Sequence, residues 1–177
     1  LDQVWWLVAP QNPLKPKKGM ATFADRLKGA RAVAGSSARG DEFWVTDMER
    51  ELGTRYTADT LRALKKRFPK YRFVWVMGAD NLIEISHWHD WPAIFETVPV
   101  AVFARPAYSS KALISEAAGR FSRCRLNENR ADQLVERKPP AWMFLHIPLS
   151  TASATRIRGE TPGGTPGGTR GGPKSRR

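Results

Sequence analysis

A chain of 177 residues, 41% of them hydrophobic and 10% aromatic, can bury one sizeable core without needing a second domain. It has no run near the roughly 18 apolar residues of a membrane span and no secretory pattern in its opening residues. Its single cysteine, Cys124, excludes a disulfide framework and a cysteine-based zinc cluster. The expectation is a reduced, cytoplasmic protein without a membrane partner. A net charge of +12 favours polyanions: nucleotides, nucleic acid or phosphorylated metabolites. Arg170, Lys174, Arg176 and Arg177 lie in a terminal stretch without acids, so part of that excess is local to the tail.

The first element is "VWWLVAP" (4–10), a continuous apolar run closed by proline, as in a strand buried on both faces. A Pro/Lys loop (11–19) leads to "ATFADRLKGARAVAG" (21–35), whose period is helical and which ends at Gly35. Residues 42–49 alternate like a strand. The next segment, 55–69, reads as a helix with Thr57 at its N-cap, Asp59 in its first turn and Pro69 beyond its end. "YRFVWVMG" (71–78) is a strand, "NLIEISHW" a short helix, and 91–98 another helix started by Pro92. The apolar run 98–106 is again a strand. Residues 110–121 look helical, 122–140 are polar and poorly patterned, and 142–149 form a final strand.

Apolar strands alternating with helices predict an α/β fold, a Rossmann-like parallel sheet with helices on both faces. Ligands on such sheets gather beyond the carboxyl ends of the strands. The residues there are Gln11, Asn12 and Lys15; Gly78 and Asp80; Arg105; and Ser153, Thr155 and Arg158. A domain is expected over 1–158. The Gly/Pro/Thr/Arg-rich stretch 159–177, with "TPGG" repeated, lacks apolar residues to offset ordering entropy and is expected to be a disordered basic tail.

Several of these positions suit both chemistry and plain structure. Ser153 and Thr155 beside free amides, with Arg158 one turn on, make either an anion site or a helix cap. Asp80 can accept from ribose hydroxyls or cap the following helix. Trp88 can stack on a flat heteroaromatic ring or fill a core. His87 and His89 have no third ligand close by in sequence to complete a metal site. Neither GxGxxG nor GxxxxGKS occurs, so neither dinucleotide fingerprint nor P-loop is present, and no nucleophile elbow is evident.

Five stretches taken in order change the balance: "APQNPLK" (9–15), "RYTADTL" (55–61), "VMGADNLIEISHWHDW" (76–91), "FARPAY" (103–108) and "SATRIR" (153–158). Together they resemble bacterial nicotinate-nucleotide adenylyltransferase, of the HxGH-type nucleotidylyltransferases, over about residues 1–158. The resemblance implies transfer of AMP from ATP to nicotinate mononucleotide, releasing pyrophosphate and giving deamido-NAD for NAD biosynthesis, with Mg²⁺ assisting. It implies that Gly78 and Asp80 hold the adenosine ribose, and that Ser153, Thr155 and Arg158, with Arg105, hold ATP phosphates. Trp88 would cover the nicotinate ring, while Tyr56 and the backbone around Thr57 and His89 receive its carboxylate. Asn12 and Lys15 would face the phosphates from the loop after the first strand. Asn12 would lie on the mononucleotide side; Lys15, like Arg158, would support catalysis.

The chain departs from that family in lacking its first strand and "GGSFDPxHxGH"-type loop, so no main catalytic side chain is identified. The helix after the Ser/Thr/Arg motif is missing too. The expectation is therefore an incomplete, weakly active or inactive form whose absent strand is central in the sheet, leaving two unpaired strand edges. Two other functions compete with this reading. One is a basic nucleic-acid-binding α/β protein using Lys15, Lys17, Lys18, Lys65, Lys66, Arg67 and the tail. The other is a sister nucleotidylyltransferase with a different phosphorylated acceptor. Oligomeric state is not legible.

Overall fold

Two parallel sheets carry the chain. The computed structural model describes residues 1–10, 21–37 and 40–147. β1 (Val4–Leu7) pairs with β2 (Phe43–Thr46) in a two-stranded sheet. The second sheet has the order β3–β4–β6–β5, formed by Trp75–Gly78, Val100–Phe103, Trp142–Leu145 and Arg125–Leu126. Every pairing is parallel. The expected α/β architecture is present, and β1 and β3 belong to different sheets, each with one edge unpaired among the described residues.

α1 (Phe23–Gly35) connects β1 to β2. It starts where Thr22 Oγ1 accepts from the Asp25 amide at 3.1 Å, satisfying one of the four orphan N–H groups of a helix start. Its Arg26 guanidinium donates to the carbonyls of Ala9 and Pro10, both at 2.6 Å, and so anchors the exit of β1.

α3 (Thr57–Arg67), α4 (Ala79–Glu84) and α5 (Trp91–Thr97) cover the larger sheet. They bury Ala58, Leu61, Leu82, Ile94 and Phe95 in the same cluster as Val100, Val102, Trp142 and Phe144 from the strands. β4 is buried on both faces, which is why its sequence is continuously apolar rather than alternating. Aromatic rings join β1 to the segments leading into β3: Trp5 contacts Phe68, just past α3, at 5.1 Å and Phe73, before β3, at 5.4 Å between centroids. No helix among the described residues is long and apolar enough to cross a membrane.

Four local expectations are corrected. The strand expected over 42–49 stops at Thr46, and α2 (Met48–Glu51) follows. The Asp47 carbonyl accepts from the Arg50 amide at 2.8 Å, a turn that three residues of alternating polarity cannot reveal. Tyr56, not Thr57, holds the N-cap position of α3, with extended backbone. The single helix expected over 110–121 is two, α6 (Ser109–Leu113) and α7 (Glu116–Arg120). Ser115 divides them, its hydroxyl donating back to Ala112 O at 2.7 Å while accepting from the Ala118 amide. The unpatterned 122–140 region contains β5 and a 3₁₀ segment, Glu128–Glu136, pinned by Leu134 against Ala101 and Met143. A single buried leucine gives no period to detect.

Candidate active site

The ladder brings the carboxyl ends of three strands level. Gly78 lies opposite Phe103 and Phe103 opposite Leu145, so the segments after β3, β4 and β6 leave the sheet side by side. Gly78 passes directly to α4, and a Cβ at this position would come within 3.0 Å of both Asp80 Oδ1 and Arg105 Nε. Only glycine leaves room for these side chains over the strand end.

Asp80 sits in the first turn of α4, not at its cap. Its Oδ1 is 3.2 Å from Arg105 Nε, an ion contact, yet that oxygen is buried and without a hydrogen-bond partner among the described residues. Buried carboxylate oxygens are nearly always hydrogen-bonded. An acceptor left open at the ligand edge of a parallel sheet is ready for a donor, and hydroxyls of a sugar supply one. Arg105 is thus brought to Asp80.

A second grouping forms where α3 meets the turn before α5. The Tyr56 ring and the His89 imidazole lie 4.4 Å apart and tilted by 33°. Next to Tyr56, α3 begins at Thr57 without a side-chain cap. Its first amides therefore lack a side-chain partner from the cap position, at the positive end of the helix dipole. Trp88 is half-buried, resting on the core cluster that also contains Ala58 and Ala79. One packed cluster thus backs the residues flanking both groupings.

Two residues that sequence reasoning missed hold this second grouping in place. Asp90 adopts left-handed backbone, φ 46°, turning the chain sharply after His89. The Arg62 guanidinium from α3 bonds to Asp90 and to Asp59 at once, tying that turn to the helix. Arg62 and Asp90 are 28 positions apart, so no local pattern couples them. The third histidine, His146, closes the end of β6: its backbone N–H and ring meet Glu128 at 2.8 Å and 3.0 Å. These contacts, the backbone N–H foremost, hold the Glu128 carboxyl below its ordinary range.

Asn12, Lys15, Ser153, Thr155 and Arg158 lie outside the described residues, as do Gln11 and the tail. His87 turns its Nδ1 toward Glu84 O at 3.3 Å. Among the described residues no group of three or more His, Cys, Asp or Glu side chains could hold a metal ion.

Residues 1–160 match the family model described as cytidylyltransferase-like. The chain belongs to that family. It is 51% identical over 158 residues to a "Probable nicotinate-nucleotide adenylyltransferase" from Parvibaculum lavamentivorans, covering 89% of this chain and 77% of the relative. The identically named protein of Cereibacter sphaeroides is 47% identical over 158 residues, with 89% and 81% covered. Among solved structures, Plasmodium falciparum nicotinic acid mononucleotide adenylyltransferase superposes with a TM-score of 0.62 when complexed with APC. Its NaAD complex gives 0.63. At 15% and 16% identity, covering 90% of this chain and 68% and 69% of theirs, these two establish the fold alone. Within the cytidylyltransferase-like family the chain is a nucleotidyltransferase, and the α/β reading of its sequence stands.

Proposed function

We propose that this chain joins ATP to nicotinate mononucleotide, forming deamido-NAD and pyrophosphate. The observation that carries this reading is the uncapped start of α3 beside the Tyr56–His89 pair. It offers fixed N–H donors for a flat ring bearing a carboxylate. The relatives' names support the same acceptor.

In the reaction, a phosphate oxygen of the mononucleotide attacks the α-phosphorus of ATP in line. The bond from that phosphorus to the bridging oxygen breaks, and pyrophosphate leaves with the electron pair. No covalent enzyme intermediate is required, so the protein contributes positioning and charge neutralisation. Asp80 accepts from the adenosine ribose, with Gly78 giving the ribose close access and Arg105 moving from Asp80 toward phosphate. Trp88 covers the pyridine ring, and the amides at Thr57 and His89 meet its carboxylate beside Tyr56. Asn12, Lys15, Ser153, Thr155 and Arg158 supply phosphate contacts in this reading. Mg²⁺ accompanies the triphosphate as its counter-ion; the described residues offer it no ligand cluster.

Ligand-induced stabilisation tests the reading without depending on turnover. Nicotinate mononucleotide at 100 times its Kd is expected to stabilise the chain by about 2.7 kcal/mol, and ATP by a similar amount. A chain that melts cooperatively but ignores the mononucleotide overturns the proposal. Aimed N–H donors face an NH₂ group when the amide enters, at about 1–3 kcal/mol per unmet group. Calorimetry should therefore find nicotinamide mononucleotide at least about fivefold weaker than the acid.

Trp88→Ala separates this acceptor from a sister reaction. Ring stacking of about 1–2 kcal/mol is lost, so the nicotinate mononucleotide Kd should rise roughly 5–30-fold while that of ATP stays within about twofold. Equal losses for both ligands would favour another phosphorylated acceptor.

A further inference from the structure

Trp88, His89 and Asp90 form the bend between the 3₁₀ turn Ile85–His87 and α5. Beyond it, Trp91, Ala93, Ile94 and Phe95 are buried, so α5 is fixed against the core. At Asp90 the backbone is left-handed, φ 46° and ψ 42°, which aspartate bears better than most residues but which a Cβ still disfavours. Relaxation of Asp90 to ordinary backbone would redirect the chain. With α5 held, that change falls on His89 and Trp88.

One side chain from another element opposes the relaxation. Arg62 on α3 donates through Nη2 to Asp90 Oδ2 and through Nη1, at 3.3 Å, to Asp59 Oδ1. Asp59, three residues earlier on α3, steadies the guanidinium, whose planar fork serves two carboxylates together. Among the described residues this is the one ion pair between α3 and the bend. α3 and α5 are joined again at the far end of α5, where Lys65 Nζ donates to Thr97 O at 3.0 Å.

We propose that Arg62 is a positioning residue for acceptor selection: by holding Asp90 in left-handed backbone it aims the His89 amide, and so sets the preference for a pyridine carboxylate over the amide. This rests on the acceptor assigned above. In that assignment the donors come from two elements, the Thr57 amide from the start of α3 and the His89 amide from the bend. The Tyr56–His89 ring contact at 4.4 Å shows these two places side by side. Donors on separate elements meet one carboxylate only when the spacing between the elements is held. The Arg62 and Asp90 side chains are 49% and 41% exposed, and exposed pairs contribute little to global stability. The tie therefore shows in ligand selection and not in melting.

Calorimetry on the full chain tests this with both mononucleotides and ATP. Arg62→Gln should raise the Kd of nicotinate mononucleotide about fivefold, or about 1 kcal/mol. The Kd values of nicotinamide mononucleotide and ATP should stay within about twofold, and the melting temperature within about 2 °C, the side chain being exposed. Lys65→Gln removes the same charge and the other tie between the helices, and should leave the acid's Kd within about 1.5-fold. In an Asp90→Gly background the carboxylate is gone and glycine takes left-handed backbone freely. There Arg62→Gln should change the acid's Kd by no more than about 1.5-fold, since the two residues act as a unit. A loss that persists in that background, or that Lys65→Gln reproduces, makes Arg62 a general charge effect and overturns the proposal. Equal weakening of the two mononucleotides overturns it as well. Wild-type protein that binds the acid, with Arg62→Gln indistinguishable from it, overturns this inference alone and leaves the acceptor standing. Folded wild-type protein that binds no nicotinate mononucleotide overturns the acceptor, and this inference with it.

Discussion

Asp80→Asn is expected to weaken ATP binding about 10–100-fold. The carboxylate has one oxygen facing Arg105 and no hydrogen bond to it, so its acceptor capacity is held open at the end of β3. Hydrogen bonds to an ionised acceptor contribute about 1.5–3 kcal/mol, against about 0.5–1.5 kcal/mol for neutral pairs. An amide in the same place keeps the shape, loses the charge, and turns a donor toward hydroxyls or toward Arg105. The folded state should notice little: the Arg105 and Asp80 side chains are 54% and 33% exposed, and exposed pairs contribute about 0–1 kcal/mol. Titration calorimetry with ATP, together with thermal melting, separates these effects. Nicotinate mononucleotide affinity should stay within about twofold. A parallel loss for both ligands, or a large drop in melting temperature, would move Asp80 from ligand contact to structure.

The parts of this molecule written in contiguous residues were legible in the sequence. β4 and β6 are continuous apolar runs because both faces are buried, and α3 declares itself by its period and its basic last turn. Gly78 and Asp80 could be singled out because a strand ending in Gly-Ala-Asp puts a small residue and an acid where ligands collect. What escaped depends on partners far apart in sequence. The Arg62–Asp90 tie, the left-handed backbone at Asp90 and the Glu128–His146 closure of β6 leave no periodic trace. Short elements escaped for a related reason: α2 is a single turn with two buried residues, and the segment 128–136 exposes most of its residues and buries only Leu134. Thr57 shows how a local rule fails. Threonine caps helices well, but Tyr56 takes the cap position here, and α3 is left open where a ligand carboxylate can do the capping.

The second large effect concerns the support behind that opening. Phe95→Ala should destabilise the fold by about 3–5 kcal/mol, the range for emptying an aromatic core position, out of a typical domain total of about 5–15 kcal/mol. Phe95 is fully buried, stacks on Phe121 at 4.5 Å, and meets Trp91 and Trp142 edge-on at 6.3 Å and 6.4 Å. Three rings would lose a partner together. Trp142 is also tethered through its Nε1–H to Phe121 O at 2.8 Å, so it cannot tilt into the space without breaking a buried hydrogen bond. Collapse of the cavity is thereby opposed, which places the cost toward the upper end of the range. Phe95→Leu keeps most of the volume and should cost no more than about half as much. Glu96→Ala, an exposed neighbour on the same helix, should stay within about 0.5 kcal/mol. Urea unfolding of the three variants gives these differences directly. Because α5 follows the Asp90 turn and packs against α3, loosening it should also weaken nicotinate mononucleotide binding by Phe95→Leu more than ATP binding. If Phe95→Ala costs under about 1 kcal/mol, the aromatic cluster is not what holds the helices to the sheet, and the rigid backing assigned to both ligand groupings goes with it.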